Sequence, residues 1–426
     1  MMEPWLFGLW VLVLVSSAPT PSPNLVPAAG LPTLELGALR AIYDATAGRR
    51  WKYGSPGVKW SFASSAVAQA DPCLSHWAGV RCDSKNSTVI ALDVNSMGLV
   101  GTLPEKIGAL TALTYLDATS NSLSGTLPAG LFLLTMLLFC QIESNQLEGS
   151  LPADIGHLKA LTFLSLFDNM LEGTLSPALG QLKALKELYL SANSLSGSLP
   201  VELFQLTALR VLSLKYNKFE GTLTPAVGQL KALTGLSLHS NCLSGSLPVA
   251  LYGLTALRDL RLDANKFEGT LSPAMGQLKA LTGLSLSINS LSGSLPVALF
   301  ELTGLRYLIF YFNQFAGTLS PAVGQLKALT RLDLHSNSLS GSLPVALFGL
   351  SELRDLSLYS NQFEGTLSPA VGQLKALTRL DLYFNRMSGS LPVALFEITE
   401  LQSLSLNNNK FKGTLSPAVG QLKKLD

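Results

Sequence analysis

The sequence predicts an α/β solenoid: a right-handed coil of about 14 turns whose short strands stack into one continuous parallel β-sheet on the concave face. Two observations predict it. The first is a period. The unit L-x-L-x-x-N, as in Leu332, Leu334 and Asn337, returns every 24 residues without insertion or deletion from Asn121 to Asn409. One period earlier Met97 holds the asparagine slot. A fixed short period is the signature of stacked repeats, because one repeat cannot bury its apolar face alone. The second is composition. A hydrophobic content of 47% against 14% charged is unusual for a globular chain of 426 residues and suits coils that share one leucine core. The net charge of +2 gives no reason to expect a nucleic acid or an acidic partner.

The N-terminal region precedes the period. Residues 5–15 (WLFGLWVLVLV) form an apolar run too short to span a bilayer and suited to a signal-peptide core. Ser16, Ser17 and Ala18 follow, so residues 1–18 are expected to direct secretion to the extracellular side or cell surface; the alternative is an uncleaved anchor. Its head carries Glu3 and no Lys or Arg, and Pro19 follows Ala18. Residues 19–32 are Pro-rich and read as a linker. Over residues 33–46 Leu36, Leu39 and Tyr43 recur at helical spacing, with Thr33 as the expected N-cap. Trp51, Trp60, Cys73, Trp77 and Cys82 come next. In an exported chain the close pair Cys73 and Cys82 is the expected disulfide, and a zinc reading lacks a second ligand pair nearby. Asn86-Ser87-Thr88 is the one acceptable glycosylation sequon, in the turn after Cys82. Cys140 sits in an inward leucine slot, and Cys242 is expected to be a free thiol too many coils away to bridge it.

Residues 89–426 are all repeat. In each coil the L-x-L pair alternates with polar residues, which makes a short strand facing the core. Successive strands run parallel with a return segment between them. An asparagine among leucines is inexpensive only if its amide bonds backbone groups of the turn and of the next coil. The glycine four places on (Gly341, Gly365, Gly389) is expected in a backbone conformation other residues resist. A 48-residue period overlies the first from about Gly173, as LSGSLPVALF and FEGTLSPAVG coils alternate. Duplication of a two-coil unit accounts for it, so sameness between coils is no sign of function. Past Asn409 the sequence reaches Asp426 without a fifteenth strand, a C-terminal cap, a membrane span or a lipid-anchor signal; the expectation is a natural chain that continues, the alternative an open end that pairs with another chain.

The helix, the tryptophans, the P-C-x(3)-W-x-G-V-x-C segment ending at Cys82 and the coils L-x-x-L-x-L-x-x-N-x-L-x-G-x-L-P together resemble plant-type leucine-rich-repeat proteins. That group includes receptor ectodomains and polygalacturonase-inhibiting proteins. The resemblance implies an N-terminal cap over residues 33–88, stiffened by a Cys73–Cys82 disulfide, that covers the leucines the first coil would expose. It also puts inhibition of a cell-wall hydrolase among the alternatives.

Nothing in the sequence assembles a catalytic constellation or calls for a cofactor or metal. There is no nucleophile elbow, zinc-protease helix, P-loop or kinase signature. His76 and His157 lie apart, and His239 and His335 share a column four coils apart, too far to share a metal. The repeats instead serve as their own alignment. Leucines, glycine and proline barely change, whereas the column two places before each asparagine varies freely: Lys215, His239, Asp263, Ser287, Tyr311, His335, Tyr359, Tyr383. Variation confined to one face of a rigid scaffold, rich in aromatics, fits a surface that binds a protein or peptide ligand.

The richest patch comprises Tyr307, Tyr311 and Phe312; Arg331, Asp333 and His335; Asp355 and Tyr359; and Arg379, Asp381, Tyr383 and Phe384. The competing reading is a salt-bridge ladder of Arg331, Asp355 and Arg379 worth little per rung. A second patch holds Phe139, Phe163, Phe167 and Tyr189. It adjoins the stretch 131–139, where Phe132, Leu133, Met136, Leu138 and Phe139 fall in nominally exposed slots and either meet a partner or lie under the cap. Lys183, Lys231, Lys279, Lys327, Lys375 and Lys423 recur every 48 residues on the return segments. They are a solvated row copied by duplication or, in a structural or adhesive role, a contact for an acidic polysaccharide such as pectin.

Overall fold

The computed structural model describes residues 31–54, 56–62 and 71–425. The expected leader and nearly all of the Pro-rich linker lie outside the described residues. The chain begins with the helix Thr33–Ala45. Its cap position is Pro32, in an extended conformation and without a side-chain cap bond, so Thr33 is the first helical residue and not the N-cap. Glu35, one turn in, is buried and ties the helix to the solenoid: its carboxylate accepts from the Thr88 hydroxyl and from the Val89 N–H at 2.7 Å.

Three buried tryptophans fill the space under this helix. Trp60 packs edge-on to Trp51 at 4.8 Å and stacks on Trp77 at 5.6 Å. Trp51 and Trp60 each satisfy their indole N–H on a backbone carbonyl, of Thr46 and Ala78, whereas the Trp77 indole N–H has no partner among the described residues. The disulfide Cys73–Cys82 is formed. Its second cysteine ends the strand Val80–Cys82, which pairs antiparallel with the first solenoid strand, Val89–Asp93. The open edge of a parallel sheet is thereby covered, and an uncovered edge would be a template for aggregation.

From Val89–Asp93 to Ser403–Ser405, one short strand per coil forms the first sheet, fifteen strands with the cap strand included and parallel from strand to strand within the solenoid. A second sheet of 14 parallel strands accompanies it, built from the segment after each asparagine, such as Ser338–Ser342. The consensus had suggested only a return segment there. Within that strand Gly341 takes φ +75°, and a Cβ on it would lie 2.9 Å from the Thr318 methyl of the preceding coil, so glycine is needed on both grounds.

A 3₁₀ turn then closes each coil. In one coil type Pro344 precedes Val345–Gly349. In the other the proline moves inside, as in Pro369–Gln373, and the Ser368 hydroxyl accepts from the Ala370 N–H. The one-residue shift in the 48-residue unit thus trades an uncapped turn for a serine-capped one with proline in its first position.

Between the sheets lies one leucine core that runs from Leu92 to Leu401, buried throughout except at the half-buried Leu391. Each such side chain stabilises the fold by about 2 kcal/mol relative to its exposed state. Phe132 belongs to this core. It is 1% exposed and occupies the slot of Phe204, Tyr252, Phe300, Phe348 and Phe396, which corrects its reading as a surface residue: the 3₁₀ turn rotates this slot inward. Leu133, Met136 and Leu138 remain exposed and are not covered by the cap. Cys140 is buried, and Cys242 is a half-buried free thiol.

Candidate functional site

Strand register builds the site. Arg331–Asp333, Asp355–Ser357 and Arg379–Asp381 pair parallel with no offset, so Arg331, Asp355 and Arg379 form one column and Asp333, Ser357 and Asp381 the next. Two residues further along each strand comes the aromatic column. Its rings stack: Tyr311 on His335 at 4.5 Å, His335 on Tyr359 at 4.1 Å and Tyr359 on Tyr383 at 4.2 Å, all within 13° of parallel. The spacing follows from the sheet, whose strands lie about 4.8 Å apart. The three columns line a concavity of about 450 Å³, joined by Ser357, Ser403 and Ser405. Those serines stand out in the repeats only as small residues in the column of Asp333 and Asp381 or the one beside it.

The charges are sorted by depth. Asp333 is 3% exposed and accepts hydrogen bonds from Arg331 at 3.0 Å and from the His335 ring. Burial alone would raise its pKa. The His335 and Arg331 contacts outweigh that and hold the carboxyl below the usual aspartate range. Asp381 is likewise buried and pairs with Arg379 at 3.3 Å. Arg331 also meets Asp355 at 3.6 Å. The expected ladder therefore forms on its Arg331–Asp355 rung, while Arg379 turns to its own strand. Asp355 has one carboxylate oxygen enclosed with no hydrogen-bond partner among the described residues, and burial pushes its pKa up despite Arg331. Burial, followed by the hydrogen bond with Tyr383, pushes the Tyr359 hydroxyl up to about 12. The guanidinium side chains stay 45% and 54% exposed over Asp333 and Asp381, which are nearly closed off, so the arginines are the more exposed charges of these pairs.

Tyr307 does not join this group. Its hydroxyl donates to Asp259 and accepts from Arg261, two strands toward the N-terminus. The ring crosses the coil between them because Gly283 leaves the space; a Cβ there would fall inside the ring. Gly283, standing in the column between Asp259 and Tyr307, was the available sequence signal.

The second patch also stacks, Tyr115 on Phe139 at 4.6 Å and Phe139 on Phe163 at 4.4 Å, with Tyr189 tilted at the end. Phe167 lies in a different column. Five lysines of the row are engaged by the following coil. Lys231 and Lys327 donate to the carbonyls of Gly253 and Gly349, Lys183 to Gln205, and Lys279 and Lys375 meet Glu301 and Glu397. Each ammonium therefore sits at the end of the next coil's 3₁₀ turn, where exposed carbonyls favour a cation. Among the described residues no group of three His, Cys, Asp or Glu side chains is placed to hold a metal ion, and no helix is long and apolar enough to cross a membrane.

A Leucine Rich Repeat family model matches residues 184–206, 328–350 and 400–422. Solved structures extend the likeness over most of the chain. A leucine-rich-repeat protein of Leptospira interrogans is 33% identical over 81% of this chain and 86% of its own, with a TM-score of 0.66. The Arabidopsis receptor kinase HAESA, solved with a peptide hormone and a co-receptor, is 31% identical over 92% of this chain and 65% of its own, with a TM-score of 0.80. The ectodomain of the Arabidopsis thaliana receptor kinase GASSHO1/SCHENGEN3 is 31% identical over 80% of this chain and 47% of its own, with a TM-score of 0.66. The chain belongs to the leucine-rich-repeat family and is of the plant type. It spans between about half and two thirds of the length of these two receptor structures. No curated protein sequence matches it.

Proposed function

We propose that the protein is a non-catalytic extracellular recognition module that binds a peptide or protein on the first sheet. Tyr311, Arg331, Asp333, His335, Asp355, Tyr359, Arg379, Asp381 and Tyr383 would form the contact face. The observation that carries the reading is the stack of four rings held in strand register beside exposed guanidinium groups and buried carboxylates. Rigid aromatics and arginines with little rotamer freedom to lose are the side chains that anchor interfaces. That HAESA was solved with a peptide hormone supports a peptide as the ligand class. The alternative, an acidic polysaccharide on the lysine row, is weakened by the carbonyls and glutamates those lysines already serve.

The test is a random dodecamer peptide library displayed on phage and panned on the full chain. Enrichment is expected on the wild type and lost, by at least about tenfold in affinity for a selected peptide, in a Tyr311→Ala, Tyr359→Ala, Tyr383→Ala variant. Equal binding by the two would end the proposal. The reading also includes export with loss of residues 1–18, a cap over residues 33–88 before a solenoid over 89–426, and a glycan on Asn86. Intact mass of the protein secreted from a eukaryotic host should drop on glycosidase treatment, and Asn86→Gln should abolish the drop.

A further inference from the structure

The residue before each ladder asparagine is left-handed in every coil, with φ between 50° and 56°. Most coils place Ser, Ala, Asp or Asn there, residues that tolerate this conformation or are small. Tyr216, Ile288, Phe312 and Phe384 do not fit that pattern, and of these the two phenylalanines border the ring stack. Each is bulky at φ 50° or 52°, and each is more than half exposed, at 54% and 56%. Neither backbone preference nor the core accounts for a phenylalanine there. The duplication does not account for it either. The two lie three coils apart while the copied unit is two coils long, and the positions one unit before and after Phe312 hold Ala264 and Ser360. Strain of this kind is retained where a site needs the side chain.

Their placement is specific. Phe312 stands edge-on to Tyr311 and His335 at 5.8 and 5.3 Å, and Phe384 edge-on to Tyr383 at 5.7 Å. They therefore flank the two ends of the ring stack. Between them the same position holds Ser336 and Ser360, both small. Three strand spacings put the two phenylalanines about 14 Å apart, which leaves a slot two coils wide, apolar at both ends and along the stack. Beyond the stack, toward the starts of the strands, the exposed charge is the guanidinium of Arg331 and of Arg379.

We infer that Phe312 and Phe384 are specificity-determining walls of a slot that takes one aromatic or long aliphatic side chain of an extended peptide whose neighbouring residues are acidic. It presupposes the peptide-binding face proposed above. The apolar ends select the side chain, and the exposed guanidinium groups of Arg331 and Arg379 beyond the stack select the acidic neighbours. Ser336 and Ser360 keep the slot open.

The experiment repeats the dodecamer panning on three full-length proteins: wild type, a Phe312→Ser, Phe384→Ser variant and a Ser336→Phe variant. Thermal melting checks the fold. The serine variant is expected to melt no lower than wild type, since serine is the residue other coils use. Wild type should enrich peptides with a large apolar residue among acidic ones. The serine variant should lose the apolar preference, with at least tenfold weaker binding of a selected peptide, and keep the acidic one. Ser336→Phe, which fills the slot, should weaken the same peptide comparably. The same motif on wild type and serine variant overturns the inference while leaving the peptide-binding face intact. A motif that also survives the triple tyrosine variant overturns both. Self-association of wild type that the serine variant abolishes would assign the slot to a second copy of the chain and overturn the peptide occupant.

Discussion

Asp333 and Asp355 sit one coil apart on the same face, and their pKa values shift in opposite directions although burial pushes both up. Asp333 has partners for both oxygens, and its pKa falls. A depressed carboxylate contributes stability that is present above its unfolded pKa of about 3.9 and is lost as pH falls through the lower folded value. Asp355 has an enclosed oxygen without a partner among the described residues, and burial raises its pKa. A raised carboxylate favours folding only while protonated, and that contribution is lost as pH rises through its folded value. At pH 7, therefore, Asp333→Asn should cost about 1–3 kcal/mol, while Asp355→Asn should stay within about 1 kcal/mol of wild type. The Asp333→Asn deficit should persist through the usual aspartate range and shrink only as pH falls below it, toward the depressed folded value. Thermal melts of both variants from pH 3 to 7 check this; equal costs at pH 7 would refute the assignment. The sequence could place both aspartates on the variable face by register. It could not tell them apart, because the difference lies in how the His335 ring and the Arg331 guanidinium turn onto Asp333.

At the scale of the element, the asparagine ladder is what locks coil to coil. Asn337 donates to the carbonyls of Phe310, Leu334 and His335 and accepts from the Phe315 N–H at 2.9 Å. Two of those four partners belong to the preceding coil, so the ladder reaches backward where the consensus had suggested the next coil. Asn361 makes the equivalent set and is buried. Asn361→Ala would leave the Leu339 N–H and three carbonyls short of a partner and should cost about 2–3 kcal/mol. Amide hydrogen exchange should quicken in the coils on either side and not in the cap; uniform quickening would contradict a local lock. The ladder and the first sheet were legible because a fixed 24-residue period leaves one register for the leucines. The second sheet was not. Its strands carry a glycine in the left-handed region, which argues against a strand when local pattern is all there is. Phe132 was misplaced for a related reason: the inward turn of its slot is set by 3₁₀ geometry and not by alternation. Tyr307 was grouped with Tyr311 by nearness in sequence, whereas the empty space at Gly283 draws its ring the other way.

Across the whole molecule, contacts run from each coil to its neighbours, from the cap through Val89–Asp93 to Ser403–Ser405. Stability in such an array is close to a sum of coil and nearest-neighbour contributions, so a local defect should remain local. The cap offers the clearest test. Its disulfide closes a short loop, worth about 2–3 kcal/mol by loop entropy, and anchors the strand that covers the sheet edge at Val89–Asp93. The aromatic stack begins at Tyr311, nine coils beyond the first strand. Cys73→Ser, Cys82→Ser should therefore speed amide exchange in the cap and the first few coils. Exchange around Tyr359, and the affinity for a peptide selected on the wild type, should not move. Loss of peptide affinity in that variant, with the aromatic coils still protected from exchange, would mean that the cap takes part in recognition. Loss of protection along the whole chain would mean that the solenoid unfolds as one cooperative unit, with the cap as its keystone.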